Sequence, residues 1–308
     1  MAVRIGRREF LKGGAALGVS AALGKGNLTE LAREKSVVAV GVGGDPGKAT
    51  LGAVKLLGGI AKFVPKKSKV AVLVNVQSRH PGTFTRPEIL RQALRLCQGA
   101  GAAGVDCLSL QSMKQWQDTG LAKVVEEEGA RLKLFDPKDE SLFRGVQVAD
   151  GRSLPEAKVL SEFFDHDVFI NMPIMKDHAG NKFTGSMKNL MGLNFSATNR
   201  SFHKPNWKTD PNDIAHLEQC IVDLNKTIKP TLNIVDATEF ISTNGPFGPG
   251  ELLKPGKVVA GTDRVAVDAY CASLLSLKAG DIIQIVRASE QGLGEMDLLK
   301  VRIREIRV

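Results

Sequence analysis

The sequence predicts an α/β fold of three layers: a mostly parallel sheet with helices on both faces. Short runs of apolar, β-branched residues recur along the chain. Between them lie longer stretches whose apolar residues repeat at helical spacing. The runs are apolar throughout rather than alternating, as strands are when both faces of the sheet are covered. A repeated strand-then-helix order is the mark of a parallel sheet.

The elements follow in order. Residues 36–43 (SVVAVGVG) read as a buried strand and 47–63 as a helix. A second strand over 69–76 (KVAVLVNV) leads to a helix over 87–98. Thr85 is placed to cap that helix, and Pro87 suits its first turn, where a missing amide costs nothing. Strand 104–110, helix 112–128 and strand 131–135 continue the alternation. A helix over 155–164 precedes strand 167–171 (DVFIN), after which residues 172–213 are polar. Helix 213–228, strand 231–236, a Gly/Pro loop at 244–250, strand 257–261, helices 264–276 and 279–291, and a strand over 299–307 complete the pattern. No linker or internal repeat interrupts it, so residues 36–308 read as one domain, with 172–212 as a lobe.

Residues 1–35 read as a leader and linker. Arg7-Arg8-Glu9-Phe10-Leu11-Lys12 resembles a twin-arginine export motif, lacking only the serine or threonine before the pair. The following GGAALGVSAALG is apolar, rich in glycine, and too short to cross a bilayer, which takes about 20 apolar residues. The expected partner is the twin-arginine translocase, and the expected location is periplasmic or otherwise extracytoplasmic. Cleavage near residue 24 or retention as a membrane anchor both fit. That pathway carries folded proteins, which tilts expectation toward a bound metal or a redox role.

Composition narrows the partners. The net charge is +9, of which +3 belongs to residues 1–24, leaving a modest +6. Aromatic residues are only 5%, with a single tyrosine, and the lysines are dispersed. A nucleic-acid surface needs clustered cations and stacking platforms, so no nucleic acid is expected. Cys97, Cys107, Cys220 and Cys271 show no C-x-x-C spacing. A cysteine-bound iron–sulfur cluster is therefore not expected. A disulfide and simple burial both suit them.

In parallel sheets ligands sit at the carboxyl ends of strands. Gly41-x-Gly43-Gly44 with Lys48 follows the first strand. It matches neither nucleotide-binding glycine motif and reads as an ordinary turn before an anion site. Gln77 to His80 follow the second. Asn171 opens the polar stretch, which gathers Lys176, Asp177, His178, Lys182, Thr184, Ser186, Lys188 and Asn189. A long polar segment after a buried strand is where function concentrates, although lysines in a solvated loop give the same pattern. His178 suits a metal ligand or a general base. Lys176 and Lys188 suit a carboxylate or phosphate clamp. His80, His203 and His216 are weaker candidates. The chain carries no G-x-S-x-G, H-E-x-x-H or paired-carboxylate signature, which disfavours serine hydrolases and zinc proteases.

Three blocks resemble the DUF362 family, a prokaryotic group without an established general activity. The first is the strand ending in Asn75, with Thr85-Arg86-Pro87-Glu88; Leu73-Val74 stand where the family has Lys-Pro. The second runs from Ile170-Asn171-Met172-Pro173 through Lys176-x-His178 and Thr184-Gly185 to Lys188-Asn189-x-x-Gly192; Ile174 replaces a typical lysine. The third joins Val235-Asp236-Ala237, Asn244-Gly245-Pro246 and Gly261-Thr262-Asp263-x-x-Ala266-Val267-Asp268-Ala269. The resemblance spans residues 37–290. It implies a polar site but names no reaction. Some relatives carry a ferredoxin-like segment, whose cysteines this chain lacks.

Two functions are expected from these readings. One is an exported enzyme or redox accessory protein that binds a metal ion or a small anion. Lys176, His178 and Lys188 would be its catalytic groups. Asn75, Asn171, Thr184, Asn189, Asp236, Asn244 and Asp263 would bind the ligand, and a divalent metal would sit between His178 and Asp236. Asp268 would join them or brace the fold. The other is a non-catalytic binding or assembly factor for a redox partner protein, using the same residues for docking.

Overall fold

A computed structural model describes residues 35–308. The twin-arginine leader expected from the sequence lies outside them. β1 (Val37–Val42) leads into α1 (Pro46–Leu56). β2 (Lys69–Val74), α2 (Pro87–Gly99), β3 (Gly104–Ser109), α3 (Met113–Asp118), α4 (Leu121–Glu127) and β4 (Arg131–Leu134) follow. A separate hairpin of β5 (Phe143–Gln147) and β6 (Glu156–Leu160) precedes β7 (Val168–Met172). Next come the hairpin β8 (Lys176–His178) and β9 (Lys182–Thr184), and helices α5 (Ser186–Asn189), α6 (Ser196–Phe202) and α7 (Pro211–Thr227). β10 (Leu232–Ala237), the small hairpin β11 (Phe240–Ile241) and β12 (Leu252–Leu253), β13 (Lys257–Gly261), α8 (Arg264–Ser273), α9 (Ile283–Glu290) and β14 (Arg302–Arg307) end the chain.

Eight strands form one sheet in the order β14-β1-β13-β10-β7-β2-β3-β4. Only β13 runs against its neighbours; every other pairing is parallel. The sheet is covered on both faces, as its predominantly apolar strands require. Val70, Val72 and Val74 of β2 face α1, α2 and α4, whereas Ala71 and Leu73 face the side of α5, α7, α8 and α9. Each fully buried Leu or Ile in these two cores contributes roughly 1.5–3 kcal/mol.

Local departures from the expected elements have local causes. The stretch 112–128 is two helices, because Gly120 takes a left-handed φ of 74° between them, a conformation costly for other residues. The helix expected over 47–63 ends at Leu56, and a short 3-10 turn covers Ile60–Lys62. The helix expected over 155–164 is instead β6 followed by a 3-10 turn at Ser161–Asp165. Ala157 and Val159 alternate onto the core, and Asp223 holds the preceding turn by accepting from the amides of Arg152, Ser153 and Leu154. Thr85 does not cap α2; its hydroxyl donates to the Met172 carbonyl at 2.8 Å, tying the loop after β2 to the end of β7. All four cysteines are buried and free, and burial pushes their thiols up.

Candidate functional site

The carboxyl ends of β2, β3, β7 and β10 lie along one edge of the sheet. After β7 the chain runs beside the end of β10: the Met175 amide donates to the Asp236 carbonyl and the Asp236 amide to Pro173. The β8–β9 hairpin then turns back and delivers Thr184 and Gly185 to α5. That helix is a single turn and cannot stand alone. Asp268 of α8 accepts from the amides of Ser186 (2.6 Å) and Met187 (2.9 Å) and so caps its start. Asn225 of α7 donates to the Met187 carbonyl. Gly185 is required by close approach, since a Cβ there would meet Asp268 Oδ1 and the Phe183 ring at 2.5 Å. The polar segment is therefore built into the core. Lys176 is 0% exposed and Lys188 8%.

A pocket of about 260 Å³ opens at this edge. Its wall includes Asn75, Gln111, His178, Thr184, Lys188 and His203. Lys188 points its ammonium at nothing stronger than the Met191 sulfur, 3.8 Å away. Burial lowers its pKa to about 8, against the pull of Glu218. Lys176 lies beneath the pocket, donating to the Thr83 carbonyl at 2.6 Å and to Asn75 Oδ1 at 3.4 Å. Burial, with the charge of Lys188, lowers it to about 7. Among the described residues neither ammonium has a carboxylate within 4 Å. The Thr184 hydroxyl, also in the wall, is buried without a partner.

Two histidines share the pocket. His178 Nδ1 lies 2.6 Å from the Ala179 carbonyl, and His203 Nδ1 2.9 Å from that of Asn199. Donation to a carbonyl requires the proton on Nδ1, which leaves each Nε2 as an acceptor. Trp207 packs against both rings, at centroid distances of 5.4 and 4.9 Å. Burial and the nearby Lys188 push both imidazoles down, His178 to about 2, so both are neutral at physiological pH. Glu218, behind the pocket, is pushed up to about 7 by burial, and its Oε1 has no partner.

Asn75, Asn171 and Asn189 come together as one hydrogen-bonded group. Asn75 donates to Asn189 Oδ1 (3.2 Å), and Asn189 donates to Asn171 Oδ1 (2.8 Å). Asp236 lies at the same edge but spends its carboxylate on the Arg86 amide and on the amide and hydroxyl of Thr238. Burial raises it to about 6. Among the described residues, His178 and Asp236 belong to no cluster of three ligand-type side chains. Such a cluster does form elsewhere, from Asp106, Glu162 and His166, and it could hold a metal. There Lys133 already sits between Asp106 and Glu162, and Arg131 pairs with Asp106. Asn244 is held in its own loop by a bond to the Pro249 carbonyl. Asp263 ends the antiparallel β13 and so lies at the opposite edge of the sheet. It caps α8 through the amides of Val265 and Ala266 and accepts from Ser36 and Glu295. The glycine turn at Gly41–Lys48 is a turn, with Asp45 capping α1 through the Lys48 amide.

Residues 70–273 match the model of DUF362, a domain of unknown function. The chain belongs to the DUF362 family. A thylakoid-associated protein of Synechocystis sp. is 29% identical to this DUF362 chain over 243 residues, 77% of this chain and 72% of the relative. Two solved structures share 12% identity with it. The lactate racemase apoprotein of Thermoanaerobacterium thermosaccharolyticum has a TM-score of 0.49, covering 75% of this chain and 57% of that one. A protein of Thermotoga maritima has a TM-score of 0.48, covering 80% and 60%. The DUF362 chain thus spans less than two thirds of either structure. Among the described residues no helix is long and apolar enough to cross a membrane.

Several groups of the DUF362 site escaped the sequence. His203 was only a weaker candidate there, and it reaches the pocket wall from the C-terminal end of α6. Glu218 and Trp207 carry no motif and arrive through α7 and the loop before it. Asn233 had a faint signal, a lone amide in the apolar strand TLNIVD.

Proposed function

We propose that this DUF362 protein binds a small anionic molecule, through a carboxylate or phosphate group, in the pocket at the carboxyl ends of β2, β3 and β7. The observation that carries the reading is two neighbouring buried lysines with no carboxylate within 4 Å among the described residues, Glu218 acting on Lys188 only from farther off. Burying a charge is costly unless it is paired. A fold that keeps two such cations beside a pocket holds a site complementary to an incoming anion. Lys188 and the unpartnered Thr184 hydroxyl are the direct donors. Lys176 contributes charge from below through Asn75. The neutral His178 and His203 offer Nε2 as acceptors for a ligand N–H or O–H, or as a base. Asp236 and Asn244 shape the loops, and Asp263 takes no part.

Sulfate, whose charge is constant above pH 3, is a suitable probe. Calorimetric titration of the full chain should show binding that Lys188→Ala weakens by more than tenfold. Absence of sulfate, phosphate and carboxylate binding alike would overturn the reading. The same proposal places the protein outside the cytoplasm, exported on Arg7-Arg8. The thylakoid association of a relative is in keeping with such a location. An Arg7→Lys, Arg8→Lys variant that still reaches the extracytoplasmic fraction in full would remove that part.

A further inference from the structure

The group formed by Asn75, Asn189 and Asn171 does not stop there. Asn171 donates from Nδ2 to Asn233 Oδ1 at 2.9 Å, and Asn233 donates to the Gly261 carbonyl at 3.2 Å. Asn171 and Asn233 are directly opposed on the paired strands β7 and β10. Both alternate onto the face that carries α5. A chain of four amides therefore crosses from β13 to the pocket: Lys176, Asn75, Asn189, Asn171, Asn233, Gly261. Asn171, Asn233 and Lys176 are wholly buried, and Asn75 and Asn189 are 9% and 8% exposed in the pocket wall.

The two ends fix the direction of the whole chain, and the Ser186 and Leu73 carbonyls, which accept from Asn171 and Asn189 at 2.9 and 3.4 Å, hold the same direction midway. An ammonium can only donate, and a backbone carbonyl can only accept. Each amide between them must then turn its oxygen toward Lys176 and its nitrogen toward Gly261. Reversing any one would set two donors or two acceptors face to face. The four side-chain dipoles are thus aligned with their negative ends toward the lysine. A buried carboxylate would hold Lys176 equally well, but it would cancel the charge. Aligned amides favour the protonated amine without cancelling its charge, against the burial and the Lys188 charge that bring its pKa down to about 7.

We infer that Asn233 and Asn171 are positioning residues for the pocket: they orient Asn75 and Asn189 and, through them, hold Lys176 as an uncancelled cation beneath the bound anion. This rests on the anion-site reading above. No feature of the strand T-L-N-I-V-D other than the buried amide itself requires asparagine at 233, and an apolar residue there would suit the core better. The amide is retained because it terminates the chain on the Gly261 carbonyl. Breaking it at the far end leaves Asn171 Nδ2 with only the Ser186 carbonyl, at 2.9 Å, as acceptor, which loosens Asn171 and, in turn, Asn189 and Asn75.

The test combines sulfate calorimetry with NMR of side-chain amides in the full chain. In the wild type the Nδ2 protons of all four asparagines should exchange slowly, and rapid exchange of Asn171 and Asn233 would overturn the inference whatever the variants do. Asn233→Leu should weaken sulfate about tenfold while shifting the side-chain amide resonances of Asn75 and Asn189. The isosteric Asn233→Asp serves where leucine does not fold. It keeps the acceptor for Asn171 but adds a negative charge to the chain, and it too should weaken sulfate about tenfold or more. A folded Asn233 variant that binds sulfate as the wild type does, with the Asn75 and Asn189 resonances unmoved, would overturn the inference. Loss of the anion-site reading looks different: Lys188→Ala would then leave sulfate binding unchanged, or the wild type would not bind at all.

Discussion

Two charged clusters occupy the same side of the same sheet and are built on opposite rules. At the β3–β4 edge, Asp106 is 2% exposed and collects Arg131 at 2.5 Å, Lys133 at 2.7 Å and His166 at 3.1 Å. Burial alone would push its carboxyl up, but the bonds from Arg131, Lys133 and His166 outweigh this and hold it at about 2. Glu162 is also paired, with Lys133. At the carboxyl edge, Lys176 and Lys188 have amides, a carbonyl and a thioether for company, and their pKa values fall. The first cluster is complete in itself, and its energetic role is to pin the edge strand β4. The second is left electrostatically open, which costs stability and is the feature on which the proposed anion site rests. Charge satisfaction, more than charge density, separates structure from function here.

That contrast can be broken most sharply at Lys188. Lys188→Met should abolish sulfate binding, a loss of about 100-fold or more, while raising stability at pH 7 by about 2 kcal/mol, because it removes a buried charge. Urea denaturation beside calorimetry checks both signs. A destabilised variant would show that Lys188 is satisfied after all. In the closed cluster, Asp106→Asn should cost about 2 kcal/mol, with Arg131 and Lys133 partly relieved by solvent. It should leave sulfate affinity untouched.

The pH dependences should run in characteristic windows. The stability owed to Asp106 is present above about pH 4 and lost as pH falls from there toward 2, since its folded pKa lies below the ordinary 3.8. For Lys176 and Lys188 the unfolded chain holds the proton up to about 10.5, while the folded chain releases it near 7 and 8. Their contribution to stability therefore rises with pH from about 7 toward 10.5. Over pH 7 to 9 sulfate affinity should fall about tenfold as the cations discharge, and a flat profile would argue against lysine-held anions. A smaller effect is expected from Asp268→Asn. It weakens the cap on α5 by about 1 kcal/mol and should lower affinity only a few-fold, readable by thermal denaturation and titration. Thr184→Val should be smallest, about threefold in sulfate affinity.

Much of this was legible in the chain. The strands β1, β2 and β13 announce themselves as apolar runs, and β3, β7 and β10 as apolar runs interrupted by only one or two polar residues, because a strand covered on both faces has no polar side to alternate. The second block of the site, from Asn171 to Asn189, stood out because polar variety after a buried strand is unusual. Other features were not legible. Residues 155–164 carry apolar groups whose spacing suits a helix as well as a strand, and only pairing with β5 decides between them. The direction of β13 is invisible in its own residues, yet it sends Asp263 to the far edge and removes it from the site. His203, just past α6, and Glu218, on α7, look ordinary in their own segments, since their roles depend on what the fold brings against them.

The sequence by itself determined the layered α/β fold, the segment that would build the site, and the absence of a cysteine-rich metal motif. Those follow from hydrophobic periodicity and from residue types, which are local properties. The tertiary structure alone decided that Lys176 and Lys188 are buried with no carboxylate within 4 Å, that Asp268 caps α5, and that four asparagines from four separate segments line up in one direction. Burial and pairing are relations between distant parts of a chain. Whether a lysine is a solvated surface charge or an open cation in a pocket is settled only when the rest of the fold closes around it.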